Sequence, residues 1–282
     1  MELTVLVDNH TLIDRYFLGE PGLSLFIQED GRRILLDVGY SEIFILNAQK
    51  MGLDLRHLDY VVLSHGHLDH TWGLVPLIRL FTEAAIEGVP HHRPIIVGHP
   101  EVFQTKRLDS LPEIGSMLDQ SKLARHFPLQ LSRTPVALSD RLLFLGEIER
   151  RFDFEAAEPL GEIVQGDDHQ PDLLLDDSAL AYKSPHGLVI IVGCAHAGIC
   201  NTVDYARQVC GEDRVVDIIG GLHLLDPTAE RLEKTTAYLA KLGLQGLHAC
   251  HCTDLRSKIA LAQAAPLREV GVGLQLTYPS IS

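Results

Sequence analysis

Apolar positions along the chain fall into two rhythms. Short runs rich in branched side chains occur at residues 4–7, 23–28, 33–38, 60–63, 95–98, 142–145, 188–192, 215–219 and 247–250. Runs of this kind, bounded by Gly, Asp, Ser or Pro, read as strands, and those with no polar alternation read as buried on both faces. Longer stretches with helical spacing separate many of them. Helices are expected at 41–51 with Ser41 capping, at 72–80 with Thr71 as N-cap, from Ala197 to about 209, at 227–242 with Gly243 as the stop, and after Cys252 to about 265. Asp30-Gly31 between the runs 23–28 and 33–38 marks a hairpin, and Ser184-Pro185-His186-Gly187 marks a second one between 177–183 and 188–192. Residues 100–175 are the least regular part, with 142–145 as their best strand. We expect an insertion there that covers the site and sets substrate choice.

This alternation predicts an α/β chain forming one domain over residues 1–282. Composition narrows the picture. Hydrophobic residues make up 46 % of the sequence, enough for a large core. Asp and Glu number 38 against 24 Lys and Arg, for a net charge of −14. That field repels phosphate backbones, so nucleic acid is not an expected partner. No apolar stretch reaches the length of a membrane span, and the first residues lack a secretory pattern. The five cysteines all fall between 194 and 252, an odd number that suits a reducing cytoplasm better than a disulfide framework.

The chemistry concentrates after the strand 60–63. There Ser64-His65-Gly66-His67-Leu68-Asp69-His70 places three imidazoles and a carboxylate on one loop between a strand and a helix. Imidazole and carboxylate are ligands that Zn, Fe and Mn share. The spacing lets His65 and His67 converge on one metal while Asp69 and His70 reach a second. Other strand ends repeat the presentation. The run 188–192 empties into Gly193-Cys194-Ala195-His196, making His196 the third imidazole for the first metal. Gly220-Gly221-Leu222-His223 and Cys250-His251-Cys252 follow two further strands, so His223 and His251 compete for the second metal. Asp37 ends the second hairpin arm as either a buried acceptor or a ligand. Asp8 and Asn9 follow the first strand and can contact substrate, support a ligand or cap a turn. His99 reads as a surface or supporting residue, and His91, His92, His126 and His169 as surface residues. The start of the helix after Gly198 offers free amides to an anion.

The His65–His70 loop matches the H-x-H-x-D-H motif of the metallo-β-lactamase superfamily, which the chain therefore resembles. Within it, Val7-Asp8-Asn9, the Gly193–Ile199 segment, Gly220-Gly221-Leu222-His223-Leu224 and His251-Cys252-Thr253 resemble a branch of metal-dependent hydrolases. That branch includes the dihydropterin-to-ribofuranosylaminobenzene-phosphate synthases. The resemblance runs from about residue 3 to residue 276. It implies a four-layer αββα sandwich with a dinuclear metal site at one edge. It also implies that Asp37 supports the metal loop and that Asp69 holds a metal and orients the nucleophile. Cys194 stands where relatives often have a metal-bridging Asp; it is a zinc ligand, a substrate contact or a buried filler.

Three activities stay open on this reading. One is a hydrolase of a small anionic metabolite using two divalent metals, with zinc expected and iron or manganese as alternatives. The second is a pterin-type transferase that releases pyrophosphate. The third is a di-iron redox protein, disfavoured because such members tend to carry Glu where this chain has His67. No G-x-S-x-G nucleophile competes. The oligomeric state is not legible.

Overall fold

The Asp30-Gly31 turn forms as its sequence demands. Both residues have positive φ, 50° and 72°, and Glu29 pairs directly with Arg32. This two-residue loop matches the twist of the strands it joins. The computed structural model describes residues 1–155 and 159–279. Within them the hairpin strands Ser24–Glu29 and Arg32–Leu36 lie inside a seven-stranded sheet. Its spatial order is Gln275–Thr277, Glu2–Val7, Ser24–Glu29, Arg32–Leu36, Tyr60–Val62, Ile95–Gly98 and Leu129–Leu131. The first four are antiparallel neighbours, and the pairings from Arg32–Leu36 onward are parallel. A six-stranded sheet has the order Gly246–Cys250, Val215–Gly221, Gly187–Val192, Ala179–Ser184, Leu142–Phe144 and Val136–Ala137.

Side chains on a strand alternate between faces, and here each face finds an apolar partner. Leu3, Val5, Leu25, Ile27, Ile34, Leu36, Val62 and Val97 form one buried cluster with Phe144, Leu180, Tyr182, Val189, Ile191 and Ile219 of the other sheet. Their neighbours Leu6, Phe26, Leu35, Val61 and Ile96 turn the opposite way. They pack on Phe44 and Ala48 of helix Ile43–Lys50 and on Leu74, Leu77 and Phe81 of helix Leu74–Glu87. On the second sheet, Ala181, Leu188, Ile190, Ile218 and Leu247 meet helices Ile199–Cys210, Ala229–Ala240 and Leu255–Ala262. The order of layers is helix, sheet, sheet, helix, the expected sandwich. Burial on both faces explains why the strand runs are continuously apolar.

Three local expectations change. Thr71 does not cap the long helix. It lies in a four-residue helix, Leu68–Thr71, and its hydroxyl donates to the His67 carbonyl at 2.9 Å. The break falls at Gly73, where a Cβ would lie 1.9 Å from the Val38 carbonyl oxygen, and the long helix restarts at Leu74. Ser41 sits one residue before the N-cap Glu42 of helix Ile43–Lys50, and its Oγ accepts from the Ile43 amide at 3.3 Å. Residues 100–175 contain strands of both large sheets. Among the described residues of this segment, only Thr105–Arg107, Glu162–Gln165 and Asp168–Pro171 form a separate three-stranded sheet. Among the described residues, no helix is long and apolar enough to cross a membrane.

Candidate metal centre

Strand Tyr60–Val62 is held between two parallel neighbours, and the ladder continues as Leu63 donates to the Val97 carbonyl at 2.8 Å. Ser64 therefore arrives at the sheet edge in a fixed position. Its amide and hydroxyl both donate to the Asp37 carboxylate at 2.7 Å. The His-rich loop then turns back into helix Leu68–Thr71, which carries Asp69 and His70. The edge of the second sheet supplies the rest, with Cys194 and His196 after strand Gly187–Val192 and His251 after strand Gly246–Cys250. Asp37, Ala195, His223 and His251 all have φ between 46° and 57°. Non-glycine residues in this region carry strain, which collects where a fold must aim side chains against their local preference.

The imidazoles converge. His65 Nε2 lies 3.1 Å from His67 Nδ1, and the rings of His65 and His67 stand 4.7 and 4.8 Å from that of His196. His70 Nε2 lies 3.2 Å from both His251 Nε2 and Cys194 Sγ. Asp69 Oδ2 is 3.2 Å from His251 Nε2 and 3.7 Å from His70 Nε2. Two potential ligand triads result among the described residues, His65–Cys194–His196 and His70–Cys194–His251, each with ligand atoms within 4.8 Å of one another. They share one sulfur.

These residues fit a cation. His67 Nε2 and His196 Nε2 are buried without a hydrogen-bond partner among the described residues. An unpaired buried nitrogen is costly, and several facing one another is costlier still. Burial lowers His65 and His196 well below the usual imidazole range and His67 to about 3, leaving neutral rings with a lone pair to offer. Burial would lower His70 too, but the carboxylates of Asp69 and Asp37 push it up to about 9. Asp69 is held below the ordinary carboxylate range: burial alone would raise it, and His70 and His251 outweigh that. Burial pushes the Cys194 thiol up, a trend that a bound cation reverses.

The remaining expected residues take other positions. Asp37 lies behind the loop, with Oδ2 at 2.7 Å from His70 Nδ1. Asp8 is fully buried and accepts from the His251 amide at 2.9 Å, so it braces that histidine. Asn9 Oδ1 meets His251 Nδ1 at 3.1 Å, a second brace. His223 lies beside His196 with ring centres 4.1 Å apart and the rings tilted by 47°, outside both triads, and its buried Nδ1 has no hydrogen-bond partner among the described residues. Gly198 does not open an anion site. The carboxylate of Glu155 accepts from the Cys200 and Asn201 amides at 2.9 and 2.8 Å, and Gly198 leaves room for it, since a Cβ would lie 2.2 Å from Glu155 Oε2. His99 is fully buried rather than at the surface, with Nε2 3.2 Å from Glu147 Oε2. His169 is exposed beside Glu162.

Sequence reading passed over Lys106, Glu155, Asp176 and Asp177, all buried polar residues around this edge. A signal existed for one pair: Leu173-Leu174-Leu175-Asp176-Asp177 sets two carboxylates directly after an apolar run, just before a buried strand.

Comparison with known proteins agrees with this architecture. The profile of the metallo-beta-lactamase superfamily matches residues 18–207. The chain is 28 % identical, over 92 % of its length and 89 % of the relative's, to the 7,8-dihydropterin-6-methyl-4-(beta-D-ribofuranosyl)-aminobenzene-5'-phosphate synthase of Methanocaldococcus jannaschii. Among solved structures, it superposes on a metal-dependent hydrolase of the beta-lactamase superfamily with a TM-score of 0.82 at 25 % identity, covering 98 % of each chain. It also shares its fold with zinc-bound PqqB from Methylobacterium extorquens, with a TM-score of 0.57 at 13 % identity, over 98 % of this chain and all of that one.

Proposed function

The chain belongs to the metallo-beta-lactamase superfamily, and from that premise we propose that it is a metal-dependent hydrolase of a small anionic metabolite with a dinuclear centre. The observation that carries this reading is the pair of triads sharing Cys194, with the unpartnered Nε2 atoms of His67 and His196 beside them. His65, His67 and His196 would hold one metal. Asp69, His70 and His251 would hold the other, with Cys194 between them. Nitrogen, sulfur and carboxylate donors together suit zinc, with iron or manganese as alternatives. Such a pair supplies Lewis acidity towards a substrate oxygen and an acidified water.

The chain's own residues do the rest. Asp69 has a quarter of its side chain exposed, while His70 beside it has none. As an ionised acceptor it is placed to orient the attacking group. Asp37 fixes the ring of His70, Asn9 fixes that of His251, and Asp8 holds the His251 backbone amide. Substrate anions would be drawn by the metals themselves, because the helix start after Gly198 is already filled by Glu155. The small sheet built from Thr105–Arg107, Glu162–Gln165 and Asp168–Pro171 is our choice for the part that selects substrate. All five cysteines are free and buried, which suits the cytoplasm.

A second reading, a transferase that displaces pyrophosphate from an activated dihydropterin, is favoured by the similarity to the methanogen synthase over 92 % of this chain. A substrate panel separates the two. Phosphodiesters, lactones, thioesters, activated dihydropterins and a β-lactam are offered to wild type and to Asp69→Ala. Asp69-dependent hydrolysis of an anionic ester supports the first reading, and pyrophosphate release with an aminobenzene acceptor supports the second. Turnover of the β-lactam alone would defeat both.

A further inference from the structure

The segment Asp176-Asp177-Ser178 lies between the two loops that carry the first metal's ligands, and each of its residues is bonded to one of them. Asp176 Oδ2 accepts from the Gly66 amide at 2.7 Å, and Gly66 lies between His65 and His67. Asp177 Oδ2 accepts from the Ala197 amide at 2.8 Å, next to His196. The Ser178 amide donates to the Ser64 carbonyl at 2.8 Å. All three residues are 1 % exposed.

Behind them lies Lys106, a lysine with no exposed surface. Its Nζ is 2.7 Å from Asp176 Oδ1 and 3.1 Å from Asp172 Oδ2. A buried carboxylate left alone tends to take up a proton and lose its strength as an acceptor. An ammonium in hydrogen-bond contact prevents that, so Asp176 meets the Gly66 amide as a charged acceptor, the stronger kind. Gly66 permits the approach, because a Cβ there would stand 2.5 Å from the Val102 carbonyl oxygen and 3.1 Å from Asp176 Oδ2. The same lysine's backbone carbonyl accepts from the Ile114 amide, and the Ile114 carbonyl accepts from the Leu68 amide. Strand Thr105–Arg107 thus holds the metal loop on both sides of His67.

We propose that Asp176, anchored by Lys106, and its neighbour Asp177 are positioning residues that set the distance between the His65–His67 loop and His196. They would therefore govern the first metal and not the second. The inference rests on the dinuclear reading above. The second metal's expected histidines are braced by other groups, Asp37 for His70 and Asp8 with Asn9 for His251.

The experiment compares Asp176→Ala with Asp172→Asn in the full chain. Both disturb the Lys106 ion cluster, but only Asp176 touches the metal loop. Zinc retained after dialysis against graded chelator is measured, together with the cobalt(II) absorption spectrum and the melting midpoint. Asp176→Ala should hold the first metal about 10–100-fold more weakly, the range found when a ligand loses its support. The second metal should stay, and Asp172→Asn should keep both, although both variants melt earlier. Asp177→Ala should copy Asp176→Ala, and Asp177→Asn, which retains an oxygen for the Ala197 amide, should restore binding. That pair carries the test if Asp176→Ala does not fold. Equal metal loss in Asp172→Asn and Asp176→Ala, or no rescue by Asp177→Asn, would reduce the cluster to a purely structural one and overturn the proposal. Wild type that binds fewer than two metals would overturn the dinuclear reading itself, a result visible before any variant is made.

Discussion

Asp37 Oδ2 lies 2.7 Å from His70 Nδ1, and neither side chain has any exposed surface. The contact holds the ring so that Nε2 faces His251 and Cys194. The same carboxylate takes the amide and hydroxyl of Ser64, one residue before His65. One side chain thus supports both ends of the metal loop.

Removing it should loosen the centre without unfolding the sheets. Asp37→Ala is expected to weaken metal binding by roughly 10–100-fold, as losses of such supporting carboxylates do. Dialysis against a graded chelator reads this directly. Retention equal to wild type would show that Ser64 and the loop backbone suffice alone.

Metal uptake should depend on pH in a site-specific way. His67 is pushed down to about 3 by burial, so it is already neutral at pH 7 and releases no proton when the first metal binds. His70 is pushed up to about 9 and must lose a proton for the second. Affinity at the second site should therefore climb from pH 6 towards 9, with proton release measurable by an indicator dye as zinc is added. The metal-free protein should respond as well. The raised His70 contributes stability that is complete below pH 6.5 and lost as pH rises through about 9. The depressed His67 contributes stability that is complete above pH 6.5 and lost as pH falls towards about 3. From these two groups alone, melting of the metal-free chain should be highest near pH 6.5. A midpoint rising steadily from pH 6 to 9 would contradict the His70 assignment.

Cys194 belongs to both triads and Cys252 to neither. Cys194→Ser should therefore release both metals, by more than the roughly 10–100-fold typical of a supporting residue. Cys252→Ser, whose sulfur accepts from the His223 amide at 3.2 Å, should keep both. Loss of a single metal in Cys194→Ser would assign the thiol to one site only.

Gly73→Ala should be among the most damaging single methyl additions. The added carbon would stand 1.9 Å from the Val38 carbonyl oxygen and 2.8 Å from its carbon, both backbone atoms. Overpacking of this kind costs about 1–3 kcal/mol or more. A fall in the urea midpoint, with metal content reduced because Val38 also bonds the His70 carbonyl, is the expected result. Gly88→Ala, which meets nothing within 4 Å but has φ of 69°, serves as the comparison, showing the cost of left-handed backbone strain without overpacking.

Local pattern alone determined much of this protein. The runs of apolar residues marked most strands because each is buried on both faces, and Asp30-Gly31 marked its turn because few residue pairs tolerate two positive φ values. The His65–His70 cluster was legible because its members are neighbours in sequence. Partners far apart along the chain were not. Asp8 and His251 are separated by 243 residues, Gly66 and Asp176 by 110, and Glu155 and Asn201 by 46. Each contact answers the same demand, that a polar group taken out of water must find a partner. The demand is general, but the partner is whichever group the packed sheets bring near. That is why Asp8 looked free to meet substrate and the helix after Gly198 looked open to an anion. Only folding put His251 against the one and Glu155 into the other.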